Sequence, residues 1–171
     1  MKHILTFVIF SITILTQAQS VFDVSRAGNL EQLAELYLIN NDTINTVDSK
    51  GFTPLILSAY NNQQETVAFL LKKGVHVNAK DVSGNTALMG VCFKGYTEIL
   101  KTLIDHGADV NQQNFNNATA LIYASTFGHE DIVKYLLENG ADKSMQDNRG
   151  NTALKHAEMQ GNTEIIKLLK A

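Results

Sequence analysis

Beyond the first twenty residues the chain has one cysteine and four histidines, residue types that bind metal ions and act as nucleophile, acid or base: Cys92, His76, His106, His129 and His156. Catalysis or metal binding requires several such groups to converge on one point. The sequence holds no C-x-x-C, H-E-x-x-H, G-x-S-x-G or phosphate-binding Gly-Lys loop that would indicate convergence. We therefore expect no catalytic site, no cofactor and no metal, and we interpret the lone cysteine as a small buried side chain.

The elements that would position these groups follow a repeat of 33 residues. The period is kept by a threonine at the start of each unit: Thr53, Thr86, Thr119 and Thr152. It is also kept by a polar turn residue five positions earlier: Asp48, Asp81, Asn114 and Asp147. No insertion or deletion interrupts residues 48–171, and the histidines fall at four different positions of the repeat. The histidines are therefore not expected to line up as a ring or column of imidazoles.

Each unit is predicted to be a turn followed by two helices. The threonine hydroxyl can cap the first helix, and an acid in the first turn of the second helix suits the positive end of its dipole. Glycines are expected in the turn and at the C-terminal end of each of the two helices, where left-handed backbone is needed. Asn62 and Asn117 replace glycine at two of these positions, and asparagine is the other residue that tolerates positive φ.

Three segments carry a family resemblance: Gly-Phe-Thr-Pro-Leu at 51–55, Gly-His at 128–129 and Leu-Leu-Glu-Asn-Gly-Ala-Asp at 136–142. They resemble the ankyrin repeat. The resemblance implies an all-α solenoid of about five helix-turn-helix units joined by β-turn or hairpin loops, and it implies protein binding. The chain departs from the family where a histidine usually follows Thr-Pro-Leu, since it has Ile56, Met89, Ile122 and Lys155 there.

The expected domain organisation is a leader at 1–18 and a repeat domain at 19–171. A partial first unit, 20–47, precedes units 48–80, 81–113, 114–146 and 147–171. In the first unit Asn40 is expected to replace the glycine that ends the second helix, and one extra residue precedes Asp48. The last unit is more polar on its first helix, as expected of a cap that faces solvent.

The first eighteen residues have the layout of a secretory signal peptide. Lys2 precedes an apolar run from Ile4 to Leu15, and Thr16 and Ala18 are the small residues that a signal peptidase requires. An uncleaved membrane anchor is the alternative. A helix of this run would span only about 18 Å, against a hydrocarbon core of roughly 30 Å. We therefore expect an exported protein, periplasmic or secreted, without stable membrane insertion after cleavage.

Composition restricts the partner and the source of stability. The formal net charge is −3 and the basic residues are scattered, so nucleic acid is not an expected partner. A single cysteine cannot form an internal disulfide, so stability must come from packing. Asn41 and Asn117 begin N-x-S/T triplets, which could be glycosylated only in a eukaryotic host.

The expected binding surface follows from the family resemblance, because ankyrin repeats usually meet partners at the turn tips and at the exposed end of the first helix. Transferred to this sequence, these positions are Phe52, Tyr60, Asn61, Asn85, Phe93, Lys94, Phe115 and Phe127. Aromatic residues on such a face favour an interface. The alternative is that the rings pack on neighbouring repeats and stiffen the turns.

The expected function is therefore the binding of another protein by a chain that is monomeric when free. Two alternatives stay open. One is a structural repeat protein that self-associates, and the other is an enzyme whose site follows no recognised motif.

Export predicts a defined N-terminus. Mass spectrometry of protein recovered from the extracytoplasmic fraction should show a chain that begins at Gln19, free or cyclised, because cleavage is expected after Ala18. Intact Met1 in a soluble cytosolic pool would contradict the signal-peptide interpretation.

Overall fold

The computed structural model describes residues 20–171, so the expected signal peptide at 1–18 lies outside the described residues. Within 20–171 the chain forms ten α-helices and one 3₁₀ turn, and its one β pairing is an isolated bridge between Gln146 and Thr152. The helices follow one another as five pairs. The all-α repeat architecture expected from the sequence is confirmed.

Two layers of helices make up the stack. The first helices of the pairs are α1 (Val21–Ala27), α3 (Pro54–Tyr60), α5 (Ala87–Lys94), α7 (Ala120–Phe127) and α9 (Ala153–Gln160). The second helices are α2 (Leu30–Ile39), α4 (Gln64–Lys72), α6 (Thr97–Asp105), α8 (Glu130–Glu138) and α10 (Thr163–Lys170). The first helices pack on their neighbours more closely than the second helices do. The first helices therefore form the inner face of the stack and the second helices the outer face.

One continuous apolar core runs between the two layers. It is built from repeated aliphatic side chains, of which the largest fully buried ones include Leu55, Leu70, Leu88, Leu100, Leu121 and Leu136. Full burial of each such side chain contributes roughly 1.5–3 kcal/mol. Cys92 is buried in the same core, and burial raises the pKa of its thiol, so this side chain is a packing residue as expected. Among residues 20–171, no helix has the length and apolar character that crossing a bilayer requires.

The repeated threonines cap the first helices. The Oγ1 atoms of Thr53, Thr86, Thr119 and Thr152 accept hydrogen bonds of 3.1–3.3 Å from the backbone N–H three residues later. Pro54 occupies the first turn of α3, where its missing N–H has no partner to lose. The predicted caps are thus confirmed at all four units.

One side-chain oxygen holds each of the turns that precede the threonines. In the turn of each full unit, Oδ1 of Asp48, Asp81, Asn114 or Asp147 accepts two backbone N–H groups of the same turn. Asn62 and Asn117 have φ of 60° and 56°, and among residues 20–171 they are the non-glycine residues with positive φ. The sequence interpretation of both asparagines is confirmed.

The end of the first unit differs from expectation. Asn40 does not adopt the left-handed conformation, since its φ and ψ are −149° and 111°. It instead caps a 3₁₀ turn, Asn41–Asn45, by accepting a hydrogen bond of 3.0 Å from the N–H of Asp42. The expectation that Asn40 acts as the closing glycine is wrong, because the extra residue of this loop is accommodated by the 3₁₀ turn.

Asparagine side chains also connect successive units. Oδ1 of Asn45, Asn78 and Asn111 accepts hydrogen bonds of 2.8–3.0 Å from backbone N–H groups of the next unit. Nδ2 of Asn78 and Asn111 donates to the carbonyl oxygens of Gly107 and Gly140. These amides therefore hold the end of one unit against the loop of the next. Ser144 occupies the corresponding position of unit 114–146 and bonds to Asp142 within its own loop.

Gly107 offers a test of the helix ends. Its φ is 86°, and a Cβ added there would meet nothing within 4 Å. Gly107→Val should lower the free energy of unfolding by about 1–3 kcal/mol, because a β-branched residue resists positive φ. Urea unfolding measures the loss, and Gly107→Asn is the matched control, which should cost clearly less. Equal losses for the two variants would contradict the assignment of backbone strain.

Candidate binding groove

Three aromatic rings of the expected surface form a row on the inner face, here called the aromatic ladder: Tyr60, Phe93 and Phe127. They lie at the C-terminal ends of α3, α5 and α7. The rings of Tyr60 and Phe93 are nearly parallel, with centroids 6.1 Å apart and an interplanar angle of 12°. The rings of Phe93 and Phe127 meet edge to face at 4.5 Å and 70°. Successive units thus present a continuous aromatic surface.

The ladder has features of both alternatives that the sequence left open, an exposed interface and packing between neighbouring repeats. Tyr60 and Phe127 remain 42% and 47% exposed, whereas Phe93 is half-buried between them. Edge-to-face and offset-stacked ring pairs contribute about 0.5–1.5 kcal/mol beyond their buried area. The rings therefore stiffen the contact between repeats and also present apolar surface to solvent.

Lys94 lies beside the ladder. Its Nζ is 4.8 Å from the centroid of the Tyr60 ring, within the range of a cation–π contact. The side chain is exposed, so this contact leaves part of the ammonium hydration in place. The result is a positive charge fixed over an aromatic surface.

Next to the ladder, a groove of about 660 Å³ crosses the inner face of the first four units. Five residues of the expected surface line it: Phe52, Tyr60, Asn61, Asn85 and Phe93. The groove is also lined by the turn-tip residue Lys50 and by residues that the sequence does not assign to the surface, among them Arg26, Asp81, Met89, Gly90 and Tyr123. Most of the expected surface is therefore brought together in one place.

Three residues of the expected surface do not line the groove. Phe127 extends the ladder by one unit, and Lys94 lies above Tyr60. Phe115 is at a turn tip, 66% exposed, with Nζ of Lys80 at 6.0 Å from its ring centroid. Phe127, Lys94 and Phe115 belong to the surroundings of the groove.

Two residues that line the groove also have structural work. Phe52 is half-buried against the core, and its N–H donates to Oδ1 of Asp48 at 2.9 Å. Nδ2 of Asn61 donates to the carbonyl oxygen of Leu57 at 2.8 Å and so helps to end α3. Only part of each side chain is available to a partner.

A polar network forms one wall of the groove. Nδ2 of Asn114 donates to Oδ1 of Asn85 at 2.8 Å and to the hydroxyl of Tyr123 at 3.1 Å. The Tyr123 hydroxyl in turn donates to Oδ1 of Asn85 at 3.3 Å. Burial raises the pKa of Tyr123, more than the Asn114 hydrogen bond lowers it, so the hydroxyl stays protonated as a donor. Asn85 is thereby held in one orientation.

Asp81 is the carboxylate that lines the groove. Its Oδ1 accepts the N–H groups of Ser83 and Asn85, each at 2.8 Å. Its Oδ2 has one long contact, 3.4 Å from Nδ2 of Asn85. Since a carboxylate oxygen can accept two hydrogen bonds, Oδ2 can accept another donor.

The corresponding positions of the last unit carry a closed pair instead. Nε2 of His156 and Oδ2 of Asp147 are 2.8 Å apart. Burial acts to raise the pKa of Asp147, but hydrogen bonds from Asn151, His156 and Arg149 outweigh it, and the pKa lies below its usual value. This pair completes the end of the stack and is not part of the groove.

The groove lining offers several kinds of contact to a ligand. Its lining contains no histidine and no cysteine. Among residues 20–171, no three His, Cys, Asp or Glu side chains are grouped closely enough to hold a metal ion. His129 and His106 contact backbone carbonyl oxygens, those of Phe93 at 3.2 Å and Thr102 at 2.8 Å. The groove can therefore offer apolar contact, hydrogen bonds and charge to a ligand.

The ladder predicts an order of stabilities. Phe93→Ala should lower the free energy of unfolding by about 1.5–3 kcal/mol, since this half-buried ring has two aromatic neighbours. Phe127→Ala should cost about 1 kcal/mol or less, because this ring is half exposed and has one such neighbour. Thermal and urea unfolding of the two variants measure the difference. Similar losses would show that the two rings are packed alike.

Comparison with known protein families agrees with this architecture. A family model described as ankyrin repeats (3 copies) matches residues 21–114, which is more than half of the chain. A second model, ankyrin repeats (many copies), matches residues 103–157. A search among curated protein sequences gives no match. Helix pairs, capped turns and both family matches lead to one assignment: the chain belongs to the ankyrin-repeat family.

Proposed function

We propose that this protein is an exported binding module that holds a partner protein in the groove of its inner face. Ankyrin repeats are generally protein–protein interaction modules and are typically not enzymes. The observation that carries the proposal is the aromatic ladder beside a groove of about 660 Å³. Half-exposed aromatic rings on a rigid scaffold give a large contact area at low entropic cost. Export is supported by the signal-peptide layout of residues 1–18.

The distribution of charge also favours the inner face as the binding face. The second helices carry most of the helical acids: Glu31, Glu35, Glu65, Glu98, Asp105, Glu130, Asp131, Glu138 and Glu164. The first helices carry Asp23 and Glu158, and both are paired, with Arg26 at 3.0 Å and Lys170 at 3.6 Å. A partner at the inner face therefore meets an apolar surface with few uncompensated acids.

Self-association is the second candidate function, and exposed apolar side chains of the first unit favour it. Leu38 and Ile39 at the end of α2 are 82% and 83% exposed, and Val47 is 57% exposed. Covering such side chains would favour association. Sedimentation of the purified protein over a range of concentrations separates the two functions, because partner binding through the groove predicts a monomer throughout.

The groove proposal predicts which face controls binding. The exported protein is used to capture partners from the matching extracytoplasmic fraction, and the affinity of the recovered partner is then measured. Phe127→Ala should weaken binding about tenfold or more, equivalent to roughly 1.4 kcal/mol. Tyr135→Ala is the control, because it removes a half-buried aromatic ring from the outer helix α8.

The control decides the interpretation. The Tyr135→Ala protein should keep the partner affinity of the parent at temperatures where both are folded. Loss of affinity in Tyr135→Ala alone would place the partner on the outer face and contradict the proposal. Equal losses in both variants at equal unfolding would show that binding only requires the folded array.

A further inference from the structure

The depth of the groove depends on one glycine. Four residues spaced by 33 occupy the same position of the first helices: Leu57, Gly90, Tyr123 and His156. Leu57, Gly90 and Tyr123 all line the groove. Gly90 is thus a gap between two large side chains, and this gap is here called the Gly90 notch.

Backbone geometry does not explain this glycine. Gly90 lies inside α5, and it is not among the residues with positive φ. An added Cβ would approach only the Tyr60 ring, whose Cδ2 would be 3.4 Å away. Glycine in a helix interior is less favourable than alanine. Gly90 therefore makes α5 less stable than alanine would, and its missing side chain leaves open space in the groove.

Apolar groups surround the notch. The nearly parallel rings of Tyr60 and Phe93 stand on one side. Leu57 and Met89 also line the groove, and both side chains are packed in the core. A space walled by two rings and aliphatic groups fits a large apolar side chain better than a polar one.

The rim of the groove is positively charged. Arg26 and Lys50 line it, and Lys94 lies over the Tyr60 ring. Arg26 is already paired with Asp23 at 3.0 Å. Among residues 20–171, neither Lys50 nor Lys94 has a carboxylate within ion-pair distance. Two ammonium groups are therefore available to carboxylates of a ligand.

The same rim offers a hydrogen-bond acceptor beside Lys50, since the N–H of Val82, the neighbour of Asp81, donates to the Lys50 carbonyl oxygen at 3.1 Å. Oδ2 of Asp81 has only the long contact of 3.4 Å with Asn85. The backbone N–H of an extended segment is a donor of the kind that this oxygen can accept. A peptide chain carries such donors at every residue except proline.

We propose that the Gly90 notch receives the phenylalanine or leucine side chain of an acidic segment of the partner protein, with the flanking Asp or Glu residues beside Lys50 and Lys94. This inference rests on the proposed function, since it specifies the chemistry of the partner that the groove binds. The apolar side chain supplies the contact area, and the charges select an acidic over a basic sequence.

Short peptides test this chemistry directly. The probe is an acetylated, amidated peptide of sequence Gly-Ser-Glu-Glu-Phe-Glu-Glu-Ser-Gly, titrated into isotope-labelled protein at low salt. Two matched peptides replace Phe with Ser or all Glu with Lys. The Glu–Phe peptide should bind about tenfold more tightly than either and should weaken as salt is added. Amide shifts should centre on residues 57, 90 and 123.

Filling the notch is the decisive variant. Gly90→Leu should lower the affinity for the Glu–Phe peptide about tenfold or more, while its melting temperature stays equal to the parent or rises. Gly90→Ala reports on folding, because it adds a single methyl group and should raise the melting temperature. Ala68→Leu adds the same side chain at an exposed position of the outer helix α4 and should leave the affinity unchanged.

Charge reversal provides an independent check. The double variant Lys50→Glu, Lys94→Glu should bind the Glu–Phe peptide more weakly than the parent does. It should bind the peptide in which Lys replaces every Glu more tightly. The inference is overturned if the Glu–Phe peptide binds no better than the other two, including no binding to any. It is also overturned if folded Gly90→Leu protein keeps the affinity of the parent.

The protein partner distinguishes this inference from the proposed function. If Phe127→Ala weakens binding of the partner but Gly90→Leu does not, the notch is excluded and the aromatic ladder of the inner face remains the binding surface. If neither substitution weakens binding, the proposed function fails as well, because the inner face is then not the binding face.

Discussion

The constraint on which the structure depends is that no unit can bury its apolar surface alone. Each helix pair covers its core residues only by stacking on the next pair, so the interfaces between units have to be alike. The strict 33-residue step from Asp48 onward meets this requirement. It brings each turn to the next, where the N–H groups of Val82, Phe115 and Asn148 donate to carbonyl oxygens of the preceding turn. The aromatic ladder is a product of the same stacking, because it places equivalent helix ends side by side.

Residues whose role is fixed within a few neighbours could be predicted from the sequence. Thr53 and its equivalents cap helices, and Asn62 and Asn117 adopt positive φ, because both properties follow from local backbone chemistry. The fate of Asn40 could not be predicted in this way. Its loop has one residue more than the equivalent loops, and residue types alone do not distinguish a left-handed residue from a 3₁₀ turn as the way to accommodate the extra length. The loop rejoins the repeat at Asn45, whose contact with His76 is the one that Asn78 and Asn111 make to the following units.

The candidate binding surface also has features that the sequence could predict and features that it could not. The positions of Tyr60, Phe93 and Phe127 in the repeat were enough to select them for the expected surface, and the structure brings the three rings into one row. Their exposure was not predictable, because Phe93 is covered by its two neighbours. Gly90 and Tyr123 were missed for opposite reasons. A glycine inside a helix has no side chain that would indicate a contact. Tyr123 forms part of the polar wall of the groove only through its hydrogen bonds with Asn114 and Asn85, which come from the turns of successive units.

The asparagine amides that join neighbouring units determine how the protein responds to mechanical load. Asn78 and Asn111 connect only adjacent units, and residues 20–171 hold no disulfide that would tie distant ones together. In unit 114–146 Ser144 stands in place of an asparagine. Because each unit contacts only its neighbours, a pull on the C-terminus should detach the last unit first and then the others in turn. Each full unit of 33 residues extends to at most roughly 110–120 Å once it is detached, so the array should act as an extensible tether that yields one unit at a time.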